Sequence, residues 1–255
     1  MPIPMPMPMP RHSTPVPVLS ACAAMLCCLA AAVPVPAAAS PSDSAQIAAL
    51  NARLATLSAA AERLEDINKV KKLQRAYGYY LDKGFWGEAA DLFADDATME
   101  VGVDGVYVGK ARIHELLVRQ GGGNPGPGLP YGQFNHHMQL QPVIHIAADG
   151  RTAKGRWREL ALLGQFQKYA AWGDGIYENE YAKEGGVWRI MKAHYYPNFV
   201  APYKGGWPAL KPVTGDWKSD VAREFPADRP PTVIYKPYPD VYTPPFHYTN
   251  PVTGK

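Results

Sequence analysis

The chain has 255 residues, 26 lysines and arginines against 23 aspartates and glutamates, and a formal charge of only +3. Hydrophobic residues make up 47% of it, enough for one sizeable core, and nothing suggests two similar domains. No block of Lys or Arg points to nucleic acid, and beyond the N-terminal segment no apolar run approaches the roughly 18 residues that span a bilayer.

The chain opens with a Met-Pro repeat to Pro10 and the basic Arg11, followed by an alanine-rich apolar stretch over residues 16–35 and then Ala37-Ala38-Ala39-Ser40. That order describes a secretory signal peptide over residues 1–39, and so an exported protein, periplasmic or secreted. Pro17, Pro34 and Pro36 argue against a permanent membrane helix; initiation at an internal Met such as Met25 is the competing reading. All three cysteines, Cys22, Cys27 and Cys28, fall in this segment, so a processed chain has no thiol, no disulfide and no Cys-based zinc site. Leu19-Ser20-Ala21-Cys22 resembles a lipoprotein cleavage box, but the residues after Cys22 are more apolar than a tether should be.

From Ile47 apolar residues recur at Leu50, Leu54, Leu57, Ala61 and Leu64, in steps of three and four. This heptad-like stripe predicts a helical extension over residues 40–65 that packs on a neighbouring subunit or merely tethers the domain. Val70, Leu73, Tyr77 and Tyr80 continue as the core face of the first domain helix. The stretch YGYYLDKGFWGEAADLFADDA, residues 77–97, then places Asp82 where one helix hands over to a second, among Tyr79, Leu81, Phe85 and Trp86. A carboxylate there loses solvation, which raises its proton affinity toward the range of a general base; the alternative is a cap on the second helix.

Residues 98–101 and 105–108 read as short strands, and residues 111–120 as a helix with Ile113, Leu116 and Leu117 inward. The Gly- and Pro-rich residues 121–132 are a loop, lacking the Gly-Lys-Ser/Thr ending of a phosphate cradle; a mobile lid is the functional alternative. Four longer β segments come next, at residues 133–147, 152–167, 170–183 and 187–199. The sum is an α+β fold, a cone-shaped curved antiparallel sheet wrapped around about three N-terminal helices, with an open apolar end suited to a ligand. Residues 201–255 carry Trp207, Trp217, Phe225, Tyr235, Tyr238, Tyr242, Phe246 and Tyr248, too many aromatics for a free tail, and are expected to wrap on the domain or a partner.

Asp82, Trp86, Leu92, Phe93, Asp95, Asp96 and Ala97 together resemble the opening of the SnoaL-like members of the nuclear transport factor 2 superfamily. The resemblance continues through Tyr107-Val108-Gly109, His136-His137, Pro142-Val143-Ile144, the Asp149–Ala153 turn and Gly186-Val187-Trp188-Arg189-Ile190, and covers about residues 66–200. Dehydratase and dehydrochlorinase members pair an Asp at the end of the first helix with a His on the first long strand. The matching positions are Asp82 and His137, so the resemblance implies a dyad in which the imidazole moves a proton while Asp82 fixes its tautomer and stabilises its cation. It also implies chemistry without cofactor and a homo-oligomer, dimer or trimer. A second histidine of the dehydratase matches Leu163 here, and small polar residues match Gly175 and Tyr177, which leaves a larger, more aromatic pocket.

Adjacent strand residues face opposite sides, so only one of His136 and His137 points into the cone. Trp157, Glu159, Ala161 and Leu163 share a face; Glu159 is then a buried acid opposite the dyad or the partner of Arg156 or Arg158. His194 and Tyr196 lie on one face, Tyr195 on the other. Tyr79, Tyr107, Tyr177 and Tyr196 are candidate phenol donors, with Glu159 and His194 in support, and Trp86, Trp157, Leu163 and Trp172 are candidate walls. The spacings of His136, His137, His145 and His194 match no familiar metal motif. The expectation is a cofactor-independent lyase, a dehydratase or deformylase, acting on a hydrophobic aromatic small molecule; lignin-derived diarylpropane diols are one such class. The alternatives are a non-catalytic binding or interaction module and an isomerase or cyclase of the ketosteroid or polyketide kind. No nucleic acid, metal or stable membrane insertion is expected.

Overall fold

The structure, a computed structural model, describes residues 41–255. The expected signal peptide, the lipoprotein-like box and the cysteines therefore lie outside the described residues. Of a first compact unit that ends at Ala49, the described part is helix; the second unit, Leu50–Lys255, holds the remainder of the chain.

The predicted extension and the predicted domain helix are one helix, α1, Pro41–Lys83. Its Leu50, Leu54, Leu57 and Leu64 are exposed, whereas Asp66, Val70, Gln74, Tyr77 and Leu81, at helical spacing, are buried. Two shorter helices, α2 (Trp86–Asp91) and α3 (Lys110–Gln120), complete the layer, with Ile113, Leu116 and Leu117 of α3 turned inward as expected. Among the described residues no helix is long and apolar enough to cross a membrane.

The sheet contains β1 (Phe93–Val101), β2 (Val106–Val108), β3 (Gln133–Ile146), β4 (Thr152–Gln165), β5 (Tyr169–Glu184) and β6 (Val187–Pro202), in the order β2-β1-β6-β5-β4-β3. Hairpins make β3 to β6 antiparallel, but β1 reaches β6 without one and runs parallel to it, so the sheet is mixed rather than antiparallel throughout. The three helices fill its concave face around Val70, Tyr77, Trp86, Phe93, Trp157 and Ile190.

Three one-residue bulges decide which side chains look inward. On β3 the register shifts between Leu140 and Val143, where Gln141 has a φ of 49°. Asn135, His137 and Gln139 face the cone before it, Ile144 and Ile146 after it, and His145 is exposed although it is even-spaced from His137. On β6 the extra residues fall at Met191 and Asn198. Trp188 and Ile190 are inward, then Ala193 and Tyr195, then Val200.

After Pro202 the chain is mostly extended, with one 3-10 turn (Trp207–Ala209) and a short helix α4 (Asp220–Glu224). On the outer face Tyr235 and Tyr242 pack on Tyr196, and the Thr232 N–H and hydroxyl donate to the Glu100 carboxylate, whereas Phe225 joins the main core, stacked on Tyr107 at 5.6 Å.

Candidate functional site

Asp82 sits in the last turn of α1, at the negative pole of the helix dipole, and is 4% exposed. A carboxylate so placed needs donors, and β3 supplies them. One turn earlier is Gly78, where an added Cβ would lie 2.6 Å from the carbonyl oxygen of His137. Only a glycine lets the helix press this closely on the strand. The His137 N–H then donates to Asp82 Oδ1 at 2.5 Å, and His137 Nδ1 lies 3.3 Å from the same oxygen. Asp82 does not cap α2, whose N-cap residue is Phe85 with no side-chain bond.

His136 Nε2 is 3.8 Å from Asp82 Oδ2, but its side chain is 45% exposed and lines only a small outer cleft of about 180 Å³. His137 lines both that cleft and the main cavity of the cone, about 430 Å³. Asp82 lines the cleft and not the cone cavity, which it reaches only through its contact with His137. Burial pushes the His137 imidazole down, but the hydrogen bond to Asp82 and the charges of Glu159 and Asp82 outweigh it, and the proton is held above the usual histidine value.

Glu159 lines the same cavity. It accepts from Gln139 Nε2 at 3.0 Å and from the Tyr177 hydroxyl at 3.1 Å. Gln139 is fixed in turn by Gln74 Nε2 at 2.8 Å, and Gln74 Oε1 accepts from the Tyr181 hydroxyl and Asn179. The network ties α1 to β3, β4 and β5, and every member is buried. Four tyrosines also line the cavity, Tyr77, Tyr177 and Tyr195 within it and the exposed Tyr169. Burial and then the charge of Glu159 push the phenols of Tyr77, Tyr177 and Tyr195 up, so these three stay protonated. The Tyr77 hydroxyl is buried and has no hydrogen-bond partner among the described residues.

Of the predicted walls, Trp86 and Leu163 line the cavity. Trp86 also ties down the Gly-rich loop, its indole donating to Asn124 O at 3.0 Å. Trp157 does not line the cavity: it is fully buried in the core behind it, bonded to Tyr181. Trp172 is on the outer side of β5, stacked on Tyr203. Of the predicted donors only Tyr177 reaches the cavity. Tyr79 is 70% exposed on the cleft rim, because it follows the buried Tyr77 and Gly78 onto the far side of the helix. Tyr107 is a core residue whose hydroxyl donates to Phe225 O at 2.8 Å; burial pushes it up to about 12. His194 and Tyr196 are on the outer face, with rings stacked at 3.9 Å and the Tyr196 hydroxyl on His194 Nδ1. The bulge at Met191 is the reason: a regular pleat running on from Trp188 and Ile190 would have turned them inward.

Sequence reasoning missed Tyr77, Tyr195 and Gln139. A signal for Tyr195 existed in Gly175, where a Cβ would fall 2.4 Å from the Tyr195 ring. A glycine in mid-strand marks a large neighbour across it. Among the described residues no group of three or more His, Cys, Asp or Glu side chains is placed to hold a metal.

Residues 62–194 match the model of the SnoaL-like domain family. Among solved structures, a Novosphingobium aromaticivorans protein provisionally named a scytalone dehydratase superposes with a TM-score of 0.50 and 15% identity, over 63% of this chain and 99% of its own. The LinA-type3 hexachlorocyclohexane dehydrochlorinase of Novosphingobium barchaimii is similar at a TM-score of 0.48 and 20% identity, over 61% of this chain and 99% of its own. The first of these likenesses shows the shared fold.

Proposed function

Because the chain belongs to the SnoaL-like domain family, with a polar dyad at the wall of its cone, we propose that it is a cofactor-independent lyase acting on a hydrophobic aromatic small molecule. The observation that carries this reading is the contact of Asp82 with His137 beside a cavity of ligand size. With Nδ1–H directed at Asp82, Nε2 is the nitrogen left for substrate. It takes a proton from carbon, and Asp82 stabilises the imidazolium. The electrons of that C–H bond become the new C=C bond as the C–O bond breaks, and the departing hydroxyl, held by a hydrogen bond from a phenol, takes the proton back from the imidazolium to leave as water. Tyr77, with its unpartnered hydroxyl, and Tyr195 and Tyr177 beside Glu159 are the donors available. Dehydratase-named and dehydrochlorinase-named proteins among the similar structures carry out eliminations by name, which fits this reaction class.

The test is to incubate the purified protein, beginning at Ser40, with aromatic diols, diarylpropane diols and hydroxy-ketones, and to follow product mass against Asp82→Asn. Loss of water or formaldehyde with wild type alone supports the lyase. Turnover should survive exhaustive dialysis against a chelator. If nothing turns over while ligands raise the melting temperature of both proteins equally, the cone is a binding module.

A further inference from the structure

The cavity of the cone shares part of its wall with another. A second cavity of about 360 Å³ adjoins it, and Val101, Tyr195 and Val200 line both. One side of this second chamber is β6, through Pro197 and Phe199; the other is the segment after the sheet, through Leu210, Val213 and Trp217. The two chambers differ in chemistry. The first holds His137, Glu159 and four tyrosines, whereas the polar side chains of the second include Asp104 and Ser219, which are bonded to each other, the exposed Lys211, and Tyr238. The apolar wall is also held open. Trp217 donates its indole N–H to Tyr235 O at 2.6 Å and meets the Tyr235 ring edge-on at 5.2 Å, so it is braced from behind instead of collapsing into the space. Apolar surface facing a void loses both its contacts and its shelter from water, and a ligand group that fills it recovers them.

We propose that the second chamber binds the distal aromatic ring of a two-lobed substrate, whose hydroxyl-bearing, reacting half lies against His137 in the cone. This rests on reading the cone as the substrate pocket, and it makes the C-terminal segment a determinant of specificity. The reacting half meets the polar groups; the far ring meets Leu210, Val213 and Trp217. One-ring molecules of the same chemistry leave the second chamber empty and bind less tightly.

Calorimetric titration of the protein beginning at Ser40 with 4-benzylphenol and with 4-methylphenol tests this without requiring turnover. The two-ring probe is expected to bind at least about tenfold more tightly, equivalent to about 1.4 kcal/mol. Leu210→Trp and Val213→Trp, which fill the chamber from two separate points, should each abolish that preference and leave 4-methylphenol unchanged; a cooperative melt confirms each fold. Equal affinity of the two probes for wild type, or a preference that survives both substitutions, overturns the proposal. The same titration on Asp82→Asn keeps the preference even where the lyase reading fails, so the two failures are told apart.

Discussion

His137 differs from the other histidines because two carboxylates bear on it and hold its proton above the usual value. If neutral Nε2 is the base, kcat/KM rises with pH through that raised value. In Asp82→Asn the inflection should move down and kcat/KM should fall by roughly 10²–10⁴-fold, the usual worth of general base catalysis; a pH-rate profile of both proteins reads this. Stability runs the other way. The contribution of protonated His137 is full below the unfolded value near 6.5 and is lost as pH rises through the folded value, which denaturant titration against His137→Gln should show. His194 has the opposite sign. Burial and then the nearby Lys192 charge hold it down to about 3, so the fold keeps it neutral while the unfolded chain takes up a proton below about 6.5. Stability should fall progressively as pH drops from there toward 3, and the fall should be shallower in His194→Gln.

At the level of elements, the site depends on how closely α1 approaches β3. Gly78→Ala puts a methyl into the His137 carbonyl, and the helix must retreat; a loss of about 1–3 kcal/mol in thermal or denaturant unfolding is expected, together with loss of turnover. Gly175→Ala should displace the Tyr195 ring and weaken ligand binding, with a cost in the same range. Much of this layer was legible in the sequence. Helical spacing gave the inward faces of α1 and α3, Gly and Asp turns bounded β3 to β6, and the handover at Asp82 stood out among aromatics. The bulges were not legible, because one extra residue leaves composition and propensity untouched while exchanging the two faces of a strand. Tyr195 and Tyr196 were therefore interchanged, whereas His137, upstream of the β3 bulge, kept its expected side. Tyr107 and Trp157 failed for another reason: an inward side chain is common to core and cavity, and only depth separates them.

Within the second compact unit, the aromatic C-terminal segment packs Tyr235 and Tyr242 on Tyr196, though residues such as Phe246 and Val241 remain exposed on it. The segment is gripped by Tyr196 and by Glu100 on the outer face, while Tyr195 and Val101, their immediate neighbours in sequence, line the cavity on the inner one. Strands β1 and β6 are thus shared between two tasks on opposite sides of one sheet. Any free energy that a ligand gains by straightening the inner side is felt by the segment outside, and the coupling is reciprocal. Filling the cavity with 4-benzylphenol should slow amide hydrogen exchange at Thr232 and Tyr235, and a substitution that loosens that strap, such as Thr232→Ala, should weaken the same ligand by an equal factor. The outer wrapping then works as a remote gauge of occupancy, readable without touching the cone.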